Sequence, residues 1–422
     1  MRQKLAVTAA GAALALVLSG CGGGSSSGQA SSDGPLEISF LTGSAEGTGS
    51  AFTMQKLVDD YGSDAALEMD YLGADMDQKI QLLASQDALP TFFQIGTPSQ
   101  VVDLYEADKI VDLEPVLEDL GVLDNLSPLS IDIIKKTYGG RLLGLPLEVA
   151  IEGFWYNTAL FEENGIEPPQ TWDDLAAAAE TLKAAGIQPF ATAGKAGWPV
   201  TRLVSGYIHR EVGPDAFTAI HDGDAAFTDP EYVAGAQAVA DFAAAGYFGE
   251  APGALDYAPA QDLFLQGKAG MYYMGSWAIS DFNKTDLNKI GAENIGWFPI
   301  PAVDGGAGDV GQTPANVGLP MAVTAKTLTP EVKEFLKYLV ENYGDVAMED
   351  LDLITGFATD VEPDSPLVAE TAQRIAGITE SVGWFEAKQG PEGTSASQQG
   401  GTALISGTLT PQQFMEQVQA AQ

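Results

Sequence analysis

The chain has 422 residues, of which 45% are apolar and 18% charged, with 48 glycines and 23 prolines. That length exceeds what one hydrophobic core holds, so two lobes are expected, and the apolar content excludes wholesale disorder. Fifty-eight acidic residues face 20 basic ones, a formal net charge of -38, which argues against nucleic acid and anionic lipid surfaces as partners.

The first predicted element is an export signal. Arg2 and Lys4 precede a mostly apolar run from Leu5 to Leu18. About fourteen residues suit a signal-peptide core but fall short of the roughly 20 needed to span a bilayer. Leu18-Ser19-Gly20-Cys21 follows and resembles the bacterial lipobox, whose cysteine is lipidated and becomes the first residue of the mature chain. Cys21 is the only cysteine, so an internal disulfide is excluded. The Gly/Ser run from Gly22 to Gly28 reads as a flexible tether. Residues 1–20 are thus expected to be a signal peptide, and residues 21–34 a lipidated cysteine with its tether. No later stretch offers about 18 uninterrupted apolar residues, so no other segment is expected to span a membrane.

The body begins with Leu36–Leu41, which alternates like a strand. A Gly-rich loop with Ser44 and Glu46 follows, then a helix near Ala51–Tyr61. Leu67–Leu72 reads as a strand, Met76–Ser85 as a helix, Phe92–Ile95 as a strand and Ser99–Ala107 as a helix. Alternating strands and helices predict an α/β fold with a largely parallel sheet. Ligands of such sheets bind beyond the carboxyl ends of the strands, which nominates Ser44, Glu46, Gln94 and Thr97 as contacts. Thr171 caps a helix running to Ala185, with Asp173 and Asp174 in its first turn and Gly186 as its stop. Further on come a helix at Glu231–Ala245, a buried strand at Ala269–Met274 turned by Gly275-Ser276, and a strand at Ile295–Ile300. Helices are predicted at Pro330–Tyr343 and Pro411–Gln422.

Enzyme chemistry finds little support in this pattern. With so many carboxylates, some pair will sit at glycosidase spacing by chance. His209 and His221 are the only histidines, and no Gly-x-Ser-x-Gly elbow exists. A zinc site lacks ligands, and Asp222, Asp224 and Asp229 lack the glycine and terminal glutamate of a calcium loop. No phosphate-binding Gly-x-x-x-x-Gly-Lys-Ser/Thr loop is present, so any ATP hydrolysis would belong to a partner. No cofactor is expected.

Four groups of residues carry a family resemblance. The first runs from Leu145-Pro146 through Phe154-Trp155-Tyr156-Asn157, Ala159-Leu160-Phe161, Gly165-Ile166 and Pro168-Pro169 to Thr171-Trp172 and Asp174-Leu175. The second is Phe264, Gly267-Lys268-Ala269-Gly270-Met271 and Gly275-Ser276-Trp277. The third is Trp297-Phe298-Pro299-Ile300-Pro301. The fourth is the helix with Phe335-Leu336 and Tyr338-Leu339. In order and spacing the chain resembles the family 1 extracellular solute-binding proteins, the carbohydrate-binding subunits of bacterial ABC importers. One departure is Leu89-Pro90-Thr91, where the family commonly has Leu-Pro-Asp.

The resemblance implies a two-lobed periplasmic-binding-protein-like fold of type II, each lobe a mostly parallel sheet flanked by helices, with the ligand clamped in the cleft. The first lobe would take residues 35–146 and return for 300–343. The second would take 147–299 and 344–422. It also implies a monomer that hands a sugar or oligosaccharide to the permease subunits of an ABC transporter and is held to the outer face of the cell membrane through Cys21.

A sugar site needs flat aromatic faces and hydrogen-bonding groups around the rim. Trp277 follows a tight turn at a strand end, where the family often places a platform. Trp198 lies in a loop leading into a helix, and Trp384 falls where some relatives place another aromatic. Glu148 and Glu152 flank the crossover beside the cleft. Trp155, Trp172 and Trp297 read as structural.

Overall fold

The computed structural model describes residues 34–73 and 76–422, so the expected signal peptide, Cys21 and nearly all of the tether lie outside the described residues. Leu36–Gln422 forms one compact unit. Its strands are, in chain order, β1 (Leu36–Thr42), β2 (Ala65–Tyr71), β3 (Phe92–Gln94), β4 (Ala150–Asn157), β5 (Gln188–Ala191), β6 (Ala269–Gly275), β7 (Ile295–Phe298), β8 (Gln312–Asn316), β9 (Met321–Val323) and β10 (Glu380–Val382). They build a four-stranded sheet, β2-β1-β3-β9, and a six-stranded sheet, β10-β8-β4-β6-β5 with β7 also on β4. Each sheet organises one lobe of a two-lobed α/β fold of the periplasmic-binding-protein type.

The first sheet matches the parallel expectation. β1 pairs in parallel with β2 and β3, and only β9 joins antiparallel. The second sheet departs from it: β4 pairs antiparallel with β6, β7 and β8. The chain enters this lobe on β4 and leaves along β7 and β8, which run back beside it. β8 also moves the expected lobe boundary. The expected return of the first lobe over 300–343 includes residues 300–316, yet β8 pairs with β4 and β10, and the chain rejoins the first sheet only at β9. The second boundary moves as well. The helix expected to end at Tyr343 runs Pro330–Leu351, because its apolar stripe continues through the buried Ala347 and Met348 in the first-lobe core.

Local signals account for many elements. Thr171 and Asp174 form a reciprocal capping box at the start of the helix Trp172–Ala184, satisfying two orphan N–H groups. Gly186 follows it at φ +79°, a conformation glycine adopts freely. Strands alternate their side chains between faces. In the second sheet Trp155, Tyr272 and Met274 join a core continuous with the first lobe, whereas Phe154, Met271 and Tyr273 face a separate core under the outer helices. No helix among the described residues is long and apolar enough to cross a membrane.

Candidate functional site

The site is best built from the end of β6. Gly275 pairs with Glu152 of β4, and the next residue, Ser276, accepts a 3.2 Å hydrogen bond from the Ile151 N–H. This bond ties the turn to the crossover strand. Trp277 then folds its ring back over Gly275: a Cβ there would lie 2.0 Å from the indole. Only glycine permits that approach. The ring is half-buried, 6.1 Å from the ring of Trp198, which in turn lies 6.5 Å from Tyr257.

Trp198 is the first residue of the helix Trp198–Val212, not part of a preceding loop. Gly197, at φ +76°, sits against the Gln398 carbonyl, 2.1 Å from where a Cβ would stand. Pro199 supplies the preset φ of a first helical turn. One turn on, Arg202 places its guanidinium carbon 5.8 Å from the Trp198 ring and 4.4 Å from that of Trp384. Its Nη1 donates to Glu152 Oε1 at 2.9 Å. Glu152 is 1% exposed and also accepts from the Tyr273 hydroxyl at 3.4 Å. Burial pushes the Glu152 carboxyl up to about 7, Arg202 opposes the rise, and nearby Glu386 adds to it. Glu386 itself is raised by burial and accepts from the Thr201 hydroxyl.

Trp384 follows β10 and is buried, although it also lines a cavity of about 790 Å³. Asp77, Thr97 and Tyr138 of the first lobe line the same cavity, opposite Glu386 and Gln398 of the second, while Asn316 and Gly318 of the crossing segment form part of its wall. Two lining carboxylates keep a buried oxygen with no protein partner among the described residues, Asp77 Oδ1 and Glu386 Oε2.

The nominated residues therefore divide. Trp198, Trp384 and Glu152 come together around Arg202, and Trp277 stands beside Trp198; of these four only Trp384 lines the cavity. Gln94 does not join them: its Oε1 accepts from the Thr42 hydroxyl and the Gly43 N–H, and its Nε2 donates to the Leu319 carbonyl. Both lone-pair sites of Oε1 and one N–H of Nε2 are thus taken by protein partners. Ser44 is bonded to Ser50, and Glu46 is exposed in the loop after β1. Thr97 lines the cavity but donates to Asp77 Oδ2. Glu148 is half-buried beside Gly318, and burial raises its carboxyl.

The three tryptophans read as structural are all buried. Trp155 donates to the Met274 carbonyl at 3.0 Å, Trp172 stacks on Phe242, and the indole of Trp297 fills the space that a side chain at Gly153 would take. Arg202, Asp77 and Glu386 were missed. Arg202 had a signal, since it follows Trp198 by one helical turn and must share its face. Asp77 sits in the first turn of the helix Met76–Ser85, a common place for an acid, and nothing local marks Glu386. His209 is buried, with Nε2 and Nδ1 on the carbonyls of Gly383 and Gly213, so it has no nucleophile to activate. No group of three or more His, Cys, Asp or Glu among the described residues is placed to hold a metal ion.

Comparison with known proteins agrees with this architecture. An uncharacterised ABC transporter extracellular-binding protein of Pyrococcus horikoshii is 28% identical over 204 residues, 47% of this chain and 43% of the relative. The multiple sugar-binding protein of Streptococcus mutans is 26% identical over 225 residues, 49% of this chain and 50% of the relative. The chain spans about half the length of the curated relatives it matches. Among solved structures, a chitin oligosaccharide binding protein superposes with a TM-score of 0.77 at 24% identity, covering 92% of this chain and 98% of the other. The bacterial extracellular solute-binding protein model matches residues 45–344, and its members bind solutes rather than transform them. With two lobes around a shared cavity and that match across most of its length, the chain belongs to the bacterial extracellular solute-binding protein family.

Proposed function

We propose that this protein captures a sugar or oligosaccharide between its lobes and delivers it to the permease subunits of an ABC transporter, acting as a monomer anchored to the outer face of the membrane through a lipidated Cys21. The observation that carries the ligand class is a cluster of aromatic rings and hydrogen-bonding groups that reaches the cavity through Trp384 and Glu386. Trp277, Trp198 and Trp384 offer the faces, and Arg202, Glu152 and Glu386 lie among them. A pyranose has matching chemistry, with apolar C–H faces and a rim of hydroxyls. The cavity of about 790 Å³ falls in the size range of small-ligand sites. The printed names of the Streptococcus mutans relative and of the oligosaccharide-binding structural neighbour support the same class. A ligand touching both lobes stabilises the closed arrangement through its extra contacts there.

A thermal-shift screen over neutral sugars and oligosaccharides tests the ligand class. A ligand at 100 times its Kd adds about 2.7 kcal/mol of stability, enough to raise the Tm measurably. A panel in which amino acids or peptides shift the midpoint and no sugar does so refutes the reading. The anchor is tested by radiolabelled palmitate, which should enter the wild type and not Cys21→Ser. Label in the mutant rules out lipidation at that position.

A further inference from the structure

We propose that Arg202 is a positioning residue whose guanidinium, fixed by Glu152, holds the rings of Trp198 and Trp384 so that these platforms and the adjacent Trp277 act as a single aromatic wall. The inference rests on the sugar-binding reading for its ligand and on geometry for everything else. Trp198 and Trp384 come from distant parts of the chain and from different elements, the first turn of a helix and the segment after β10. What lies between them is one planar cation, 5.8 Å from one ring and 4.4 Å from the other. A guanidinium is flat and weakly hydrated, so both of its faces can stack on aromatic rings, whereas an ammonium is a compact, strongly hydrated point charge.

The hydrogen bonding of Arg202 supports this role. Only Nη1 has a carboxylate partner, and Nε is buried without one among the described residues. A side chain serving mainly as an ion pair would turn its fork toward Glu152 for a bidentate contact. Here the guanidinium carbon lies 4.4 Å from the Trp384 ring, and Glu152 anchors one corner. Glu152 is itself fixed on β4 opposite Gly275, at the root of the turn that carries Trp277. The Arg202–Glu152 link therefore joins the helix carrying Trp198 to the strand end carrying Trp277. Buried ion pairs contribute little net stability relative to apolar packing, so orientation is the more substantial consequence of this one.

The test uses near-UV circular dichroism of the unliganded full chain together with calorimetric affinity for the best sugar of the panel, in wild type, Arg202→Lys and Glu152→Gln. Arg202→Lys keeps the charge and loses the plane, so it should change the tryptophan spectrum and weaken binding about tenfold, which is 1.4 kcal/mol. The groups facing Glu152 are Arg202, Tyr273 and Glu386. The Glu152 carboxyl, raised to about 7, is ionised above that pH and loses its charge below it. Wild-type affinity and spectrum should therefore change between pH 6 and 8, with tighter binding at the higher pH, and both changes should vanish in Glu152→Gln. Burial lowers His209, moving it away from this window. A wild-type spectrum and affinity in Arg202→Lys overturns the proposal. If that variant does not fold, Glu152→Gln at fixed pH decides: it removes the carboxylate that anchors Nη1, so a wild-type tryptophan spectrum and affinity in that variant overturns the proposal equally. If no sugar binds while the spectra of the unliganded protein behave as expected, the ligand reading fails and the positioning role stands.

Discussion

The two lobes present their strand-end residues to the cleft in different ways. In the first lobe the polar side chains beyond β1 and β3 are bonded to one another: Gln94 to Thr42, Gly43 and Leu319, and Ser44 to Ser50. In the second lobe Trp277, beyond β6, lies beside Trp198, and Trp384, beyond β10, lies against the Arg202 cation, with the Arg202 Nε and Glu386 Oε2 still without a partner among the described residues. A position at the carboxyl end of a strand puts a residue near the ligand. Whether it contacts the ligand depends on how much bonding capacity the fold has left it. Gln94 spends its Oε1 and one Nε2 N–H on protein partners, which brace the loop after β1 against the segment that leads into β9.

The sharpest test of this contrast is Trp277→Ala. Loss of a large aromatic face removes a few kcal/mol of apolar burial and roughly 0.5–1.5 kcal/mol of ring stacking. Affinity should fall by about two orders of magnitude or more by calorimetry. Because the ring is half-buried, unfolding of the unliganded protein should cost less than the 3–5 kcal/mol typical of a deleted core tryptophan. Near-wild-type affinity in a folded mutant would remove Trp277 from the site. A first-lobe pair supplies the smaller effects. Gln94→Ala leaves the Thr42 hydroxyl, the Gly43 N–H and the Leu319 carbonyl without this partner, so denaturant unfolding should show a loss of about 1–3 kcal/mol while affinity moves by no more than about threefold. A large affinity loss at unchanged stability would make it a ligand contact after all. Glu46→Gln, on an exposed loop residue, should stay within about 0.5 kcal/mol in both measurements.

Much of the scaffold was legible because its signals are local. The helix Met76–Ser85 was readable from its apolar spacing, the helix from Trp172 from its cap residues and Gly186, and β6 from a short apolar run ending in Gly-Ser. The helix Pro391–Ile405 was not legible: its sequence is rich in Gly and Ser, which favour turns over helix interiors. It forms because tertiary packing wants small residues there. A side chain at Gly400 would meet the Phe414 ring at 2.5 Å, and Gly401 packs beside Gly197 and Val200. Packing of this kind, rather than propensity, stabilises most helices in folded proteins.

The same division runs through the site. The sequence alone determined that Trp277 would stand at a strand end, that Trp155 and Trp172 would sit in structural contexts, and which family the chain resembles, because turns, caps and short motifs act over a few residues. Only the tertiary structure decided that β8 would join the second sheet, that Gln94 would bond to Thr42, Gly43 and Leu319, and that Arg202 would lie between Trp198 and Trp384. Those outcomes depend on which distant backbones pair and which side chains then compete for the same space, and no local dihedral preference or periodicity records that competition.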